Sequence, residues 1–149
     1  MKAKYLCVVV SLLVALLLTA CGGSATTTTT TATAVVKSVV FARGLDDSFQ
    51  PVDPTTTFMP ADVVRVSVGF DGNPTKGVLK GKWYLDTQML YEVTLDLANA
   101  AEGDMEVVDG NSYTGLSLSA DGGLPEGSYK LEIYIDDVKA GEYPFTVSW

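Results

Sequence analysis

From residue 35 onward, apolar and polar side chains alternate with a period of two. Val64, Val66, Val68 and Phe70 alternate with Arg65, Ser67 and Gly69. Leu79, Gly81, Trp83 and Leu85 alternate with Lys80, Lys82 and Tyr84, and Tyr129, Leu131, Ile133 and Ile135 with Lys130, Glu132 and Tyr134. Successive side chains of a β-strand point to opposite faces, so each run presents one apolar and one polar face. The pattern predicts strands over residues 35–42, 63–70, 78–85, 89–97, 113–119, 129–135 and 143–149, with a short edge strand at 105–108. Tyr91, Val93, Leu95 and Leu97 form the expected inner face of the fourth run, and residues 96–101 are compatible with one helical turn. Residues 71–77 (DGNPTKG), 121–127 (DGGLPEG) and 136–141 read as turns. Residues 43–62, which include Gly44, Pro51, Pro54 and Pro60, read as one long connection.

Seven or eight short strands, with no long stretch at the helical period, predict an all-β antiparallel fold. The size and a tryptophan on the third strand point to a single immunoglobulin-like sandwich. The segment from Leu124 to Ile135, a short turn, and then Tyr143-Pro144-Phe145-Thr146-Val147 resemble the final hairpin of bacterial immunoglobulin-like and fibronectin-like domains. That resemblance implies a fold and no particular activity, because sandwiches host unrelated roles. The paired cysteines of antibody-type domains are missing. A jelly-roll sandwich or a small open barrel is the alternative.

The first 20 residues have another texture. Lys2 and Lys4 precede an apolar run of about 14 residues, which fits a signal peptide. The run is short for a membrane span, which takes about 20 residues. Leu18-Thr19-Ala20-Cys21 resembles the lipobox of bacterial lipoproteins. In that family the cysteine receives a diacylglyceryl thioether and becomes the mature N-terminus, so the resemblance implies lipid attachment at Cys21 and a place on the exported side of a bacterial cell-envelope membrane. Two acyl chains suffice for stable anchoring, whereas one is marginal. Gly22 follows the cysteine, where an aspartate often marks inner-membrane retention in that family. Residues 22–34 (GGSATTTTTTATA) carry no apolar face that offsets the entropy of ordering, and with Cys21 they read as a flexible tether. The expected organisation is therefore leader 1–20, lipidated cysteine and tether 21–34, and sandwich 35–149.

Charge and composition narrow the functional classes. Losing Lys2 and Lys4 with the leader takes the basic residues from 10 to 8 against 18 acidic ones, a net charge of −10. Phosphate backbones are held by Lys and Arg, so no nucleic-acid partner is expected. The chain has no histidine, and Cys7 would leave with the leader. This removes the usual general base, the usual transition-metal ligand and the histidine-based nucleophile pairs. No cofactor, catalytic residue or metal ligand is assigned.

Three candidate chemistries remain. Paired carboxylates, as in glycan-acting enzymes, fall here on strand faces (Glu92, Asp96, Glu132), where solvation explains them. Residues 104–111 put oxygen ligands near a glycine but miss the EF-hand spacing, leaving a calcium-dependent accessory domain as an alternative. Trp83 shares a face with Leu79 and Leu85, which argues for core rather than a sugar-stacking platform. In an immunoglobulin-like topology, turns 71–77 and 136–141 share the end where the chain enters. Residues 43–62 and 121–127 fall at the far end. Long loops on rigid scaffolds carry binding, so Asp46, Asp47 and Phe49 are the candidate contacts to an envelope protein or glycan. The expected function is a non-catalytic binding or structural module, with an envelope enzyme using carboxylates as the alternative.

Overall fold

The computed structural model describes residues 34–149. The leader, Cys21 and the threonine tract lie outside the described residues. Among the described residues ten strands follow one another: β1 (Val36–Leu45), β2 (Pro51–Pro54), β3 (Thr57–Phe58), β4 (Val64–Phe70), β5 (Val78–Leu85), β6 (Gln88–Asp96), β7 (Glu106–Val108), β8 (Asn111–Leu118), β9 (Gly127–Ile135) and β10 (Val138–Val147). They form two five-stranded sheets, ordered β2-β1-β4-β8-β7 and β3-β10-β9-β5-β6. Setting β2 and β3 aside, these are the ABED and GFCC′ orders of an immunoglobulin sandwich. The fold class is all-β, as the alternation predicts.

The strand count exceeds expectation because residues 43–62 are not a loop. β1 runs on to Leu45 and turns into β2, which pairs back on it, Gly44 to Val52 and Ala42 to Pro54. The chain then crosses to the other sheet, where β3 lies parallel to β10. Pro51 and Pro54 sit in an edge strand, where a missing N–H is tolerated. At residues 96–101 the expected helical turn is a capped turn instead. The Asp96 carboxylate accepts hydrogen bonds from Ala98 N at 2.9 Å and Asn99 Nδ2 at 2.8 Å.

The inner faces of both sheets supply one core. Val64, Val66, Val68, Phe70, Trp83, Leu131 and Ile133 are fully buried. Phe145 is its aromatic hub, with ring centroids of Phe41, Tyr129, Phe58 and Trp83 at 4.9, 5.0, 5.9 and 5.9 Å. Such pairs contribute about 0.5–1.5 kcal/mol each beyond burial. Trp83 is core, as its register predicts, although its Nε1 has no hydrogen-bond partner. Tyr129 donates its hydroxyl to the Pro125 carbonyl at 2.7 Å, four residues upstream. This is the tyrosine corner of immunoglobulin-like domains, which stands two residues before the second cysteine where there is one. Here Leu131 fills that place, so packing replaces the disulfide.

Ala34, assigned to the tether on composition, is 6% exposed and belongs to the core. A side chain at Gly77 would stand 3.5 Å from it and 3.6 Å from Asp136, so these turns meet where the described chain begins. Leu124 N bonds Pro60 O at 2.8 Å, which joins residues 121–127 to residues 43–62 at the opposite end.

Candidate functional site

The sequence-predicted contacts Asp46, Asp47 and Phe49 lie together on the β1–β2 turn, but two of them hold the turn itself. Asp46 Oδ1 accepts from Ser48 N at 2.9 Å and Gln50 N at 2.8 Å. Phe49 has φ of 58°, in the left-handed region that a bulky residue rarely adopts. Its ring is half-buried, not exposed. A Cβ on Gly115 would stand only 2.8 Å from both Phe49 Cδ1 and Leu45 Cδ1, so the turn closes down on β8. This packing needs a glycine beneath it; Ser67, the cross-strand partner of Gly115, is 2% exposed. Asp46 and Asp47 both remain exposed there, but the Asp46 carboxylate is already committed to the turn. Nearby Arg43 meets Asp53 at 3.1 Å and Asp62 at 3.7 Å, which neutralises part of the acidic end.

The other carboxylate candidates are likewise engaged locally. Asp104 Oδ2 accepts from Ala101 N at 2.8 Å, and Asp109 and Gly110 form the two-residue turn between β7 and β8, both at positive φ. Among the described residues, no three His, Cys, Asp or Glu side chains come close enough to hold one metal ion.

Glu132 departs furthest from its sequence reading. Expected on a solvated face, it is 6% exposed. Its carboxylate accepts from Tyr134 Oη at 2.7 Å, Lys130 Nζ at 2.9 Å and Lys139 Nζ at 3.0 Å. Lys139 and Lys130 also reach Glu142, at 2.7 and 3.3 Å. The Tyr134 hydrogen bond, then the two lysines, hold the Glu132 carboxyl down at about 2, against the burial that opposes its charge. The Tyr134 phenol is raised in return by its bond to Glu132. Lys82 and Lys130 each lie 5.0 Å over a tyrosine ring, of Tyr134 and Tyr84 respectively. Lysine stems and tyrosine rings thus shield the carboxylate from water. Lys80 pairs with Asp137, and Lys82 with Glu92 at 3.5 Å. Four cations and four anions satisfy one another, so this face clamps β5, β9 and β10 and leaves little charge for a partner.

An exposed apolar surface lies at the edge of the same sheet. Met89, Leu90 and Tyr91 of β6 are 50%, 40% and 53% exposed. The strand pattern predicts Tyr91 inside. A register shift intervenes: Trp83 pairs with Tyr91 but Tyr84 with Met89, leaving Leu90 as an extra residue in β6. Such a bulge bends the strand and re-aims its side chains. Leu90 and Tyr91 consequently line a groove of about 530 Å³ with Leu118, Ala120, Leu124 and Pro125. Two further grooves, lined by Phe41, Pro54 and Tyr143 and by Phe49, Val93 and Leu116, hold about 580 and 300 Å³. None of the three brings two carboxylates together.

No protein-family model matches the chain, and no curated protein matches it. Among solved structures, it is similar to an immunoglobulin-like protein from Pseudomonas aeruginosa, with a TM-score of 0.54 and 14% identity over 80% of this chain and 99% of that one. A DNA-bound alkylpurine DNA glycosylase from Pseudomonas fluorescens overlaps 79% of this chain and 31% of its own, at 4% identity and a TM-score of 0.45, too distant to bear on function. The first likeness supports the immunoglobulin-like sandwich and speaks of fold alone.

Proposed function

We propose that this immunoglobulin-like sandwich is the exported part of a bacterial lipoprotein, anchored in a cell-envelope membrane through acylated Cys21, and that it serves as a non-catalytic binding or structural module. The observation that carries the reading is the leader, in which a basic start, a short apolar run and Leu18-Thr19-Ala20-Cys21 agree with one another. The sandwich supports the non-catalytic part. Hydrolytic pairs need two carboxylates across a cleft, and the described grooves offer no such pair. The partner under this reading is an envelope protein or a glycan, with membrane lipid engaged through Cys21 and nucleic acid disfavoured by the charge.

The test is Cys21→Ser with fractionation of cells fed labelled palmitate. The parent chain should take up label and sediment with membranes, while the variant should do neither. A variant that still sediments with membranes as the parent does would refute lipid anchoring at this residue.

A further inference from the structure

We propose that the free edge of β6, together with the groove beside it, is a strand-addition site for an extended peptide segment with alternating apolar side chains and lysine or arginine at its ends. This deepens, and rests on, the reading of the domain as a binding module. Among the described residues, β6 pairs with β5 on one side and with no strand on the other. Sheet edges of this length are often blunted by lysine, proline or a bulge that twists the edge away, because unpaired N–H and C=O groups recruit other strands. β6 (QMLYEVTLD) contains no lysine or proline. Its bulge instead turns Leu90 and Tyr91 into a groove. The opposite wall is equally open, because β7 pairs with β8 only from Asn111 to Tyr113, leaving Ser117 and Leu118 at a free edge. Strand addition has this form: main-chain hydrogen bonds along an edge, and pockets for every second side chain.

Charge selects the occupant. No lysine or arginine lines the groove. Exposed acids flank its lining residues, Asp121 beside Ala120 and Glu126 beside Pro125. Asp86 joins them. Its N–H bonds Ser128 O at 2.9 Å, next to Tyr129, whose hydroxyl reaches Pro125 O. A segment with basic ends is drawn to this rim and an acidic one repelled. A second copy of the chain fits less well, since it brings the same acidic rim.

The test selects a random displayed peptide library on the purified full chain in detergent, then follows backbone hydrogen exchange. Enriched peptides should alternate apolar residues between Lys or Arg, and should slow exchange at β6 amides. Affinity should fall at least about tenfold in Leu90→Glu/Tyr91→Ser and when the basic ends are changed to Glu. Thr94→Lys, which alters the edge and spares the groove lining, should weaken binding too. Thermal melting of each variant checks that the fold survives. The proposal is overturned by failure to enrich peptides, by indifference to the end charges, or by protection that maps away from β6. Self-association that protects β6 without peptide would also overturn it, making a second copy the occupant. Anchoring is read separately by fractionation, so failure of the envelope reading and failure of this one are told apart.

Discussion

Replacing Glu132 by Gln keeps the shape of the side chain and removes the charge at the centre of the outer-face network. With its carboxyl at about 2 against an ordinary 4.5, the charged form stabilises the fold. That contribution is complete above about pH 4.5 and is lost as the pH falls toward 2. One pKa unit corresponds to about 1.4 kcal/mol, which sets a ceiling of about 3–4 kcal/mol. Lys130 and Lys139 are 29% and 41% exposed, and Glu142 continues to partner both, so solvent and that second acid reduce the loss. The expected cost of Glu132→Gln at pH 7 is about 2 kcal/mol, or roughly 6–10 °C in Tm for a domain of this size. Urea unfolding followed by tryptophan fluorescence measures it. Other carboxylates titrate in the same range, so the informative quantity is the difference between parent and variant at each pH. That difference should shrink steadily between pH 4.5 and 2.5. A difference that is constant across this range, or below about 0.5 kcal/mol at pH 7, would refute the assignment of Glu132 as a buried, charge-stabilised clamp.

Trp83→Ala should cost about 3–5 kcal/mol, and a melting temperature lowered by only a degree or two would place the indole outside the core. Tyr129→Phe removes one hydrogen bond to Pro125 and should cost about 1 kcal/mol by urea titration; unchanged stability would show that the corner closes without it. Gly115→Ala should cost about 1–2 kcal/mol by overpacking against Leu45 and Phe49. Phe49→Ala in the same chain should relieve part of that cost, so strictly additive losses would mean that the two residues do not meet.

Much of the fold could be read from the sequence because most strands are long enough to show their period. β4, β5 and β9 each alternate over seven residues or more, and the inward position of Trp83 followed from its register alone. β2 and β3 were illegible for the opposite reason. With four and two residues, and prolines at both ends of β2, they show no period, and the partner of β3 lies some ninety residues away in β10. The tyrosine corner was missed although Leu124 to Tyr129 carried it, since a hydroxyl bonded back to a turn carbonyl leaves no mark on polarity patterns. The candidate surface was less legible still. Phe49 looked like a loop tip because nothing local announces that Gly115 will lie beneath it. Tyr91 looked internal because a bulge is a property of two strands together. Glu132 looked solvated although Tyr134, Lys130 and Lys139 all lie within seven residues of it, because charge alternation does not reveal which lysines fold over it.

The parallel pairing of β3 with β10 has a mechanical consequence. Ala34 packs beside Gly77, next to the turn that ends β9, whereas Val147 pairs with Gly127, where β9 begins. The two points lie roughly 30 Å apart, the length of a nine-residue strand at ~3.3 Å per residue. A pull between them runs along the strands. To separate β10 from β3, the bonds from Thr146 N to Thr56 O and from Ser148 N to Phe58 O, both 2.9 Å, must slide and break together. The β1–β4 ladder is loaded in the same direction. A hairpin tugged at its open ends unzips one bond at a time under small force. This arrangement loads its bonds in shear, so tension transmitted through the chain meets the sandwich along its most resistant axis.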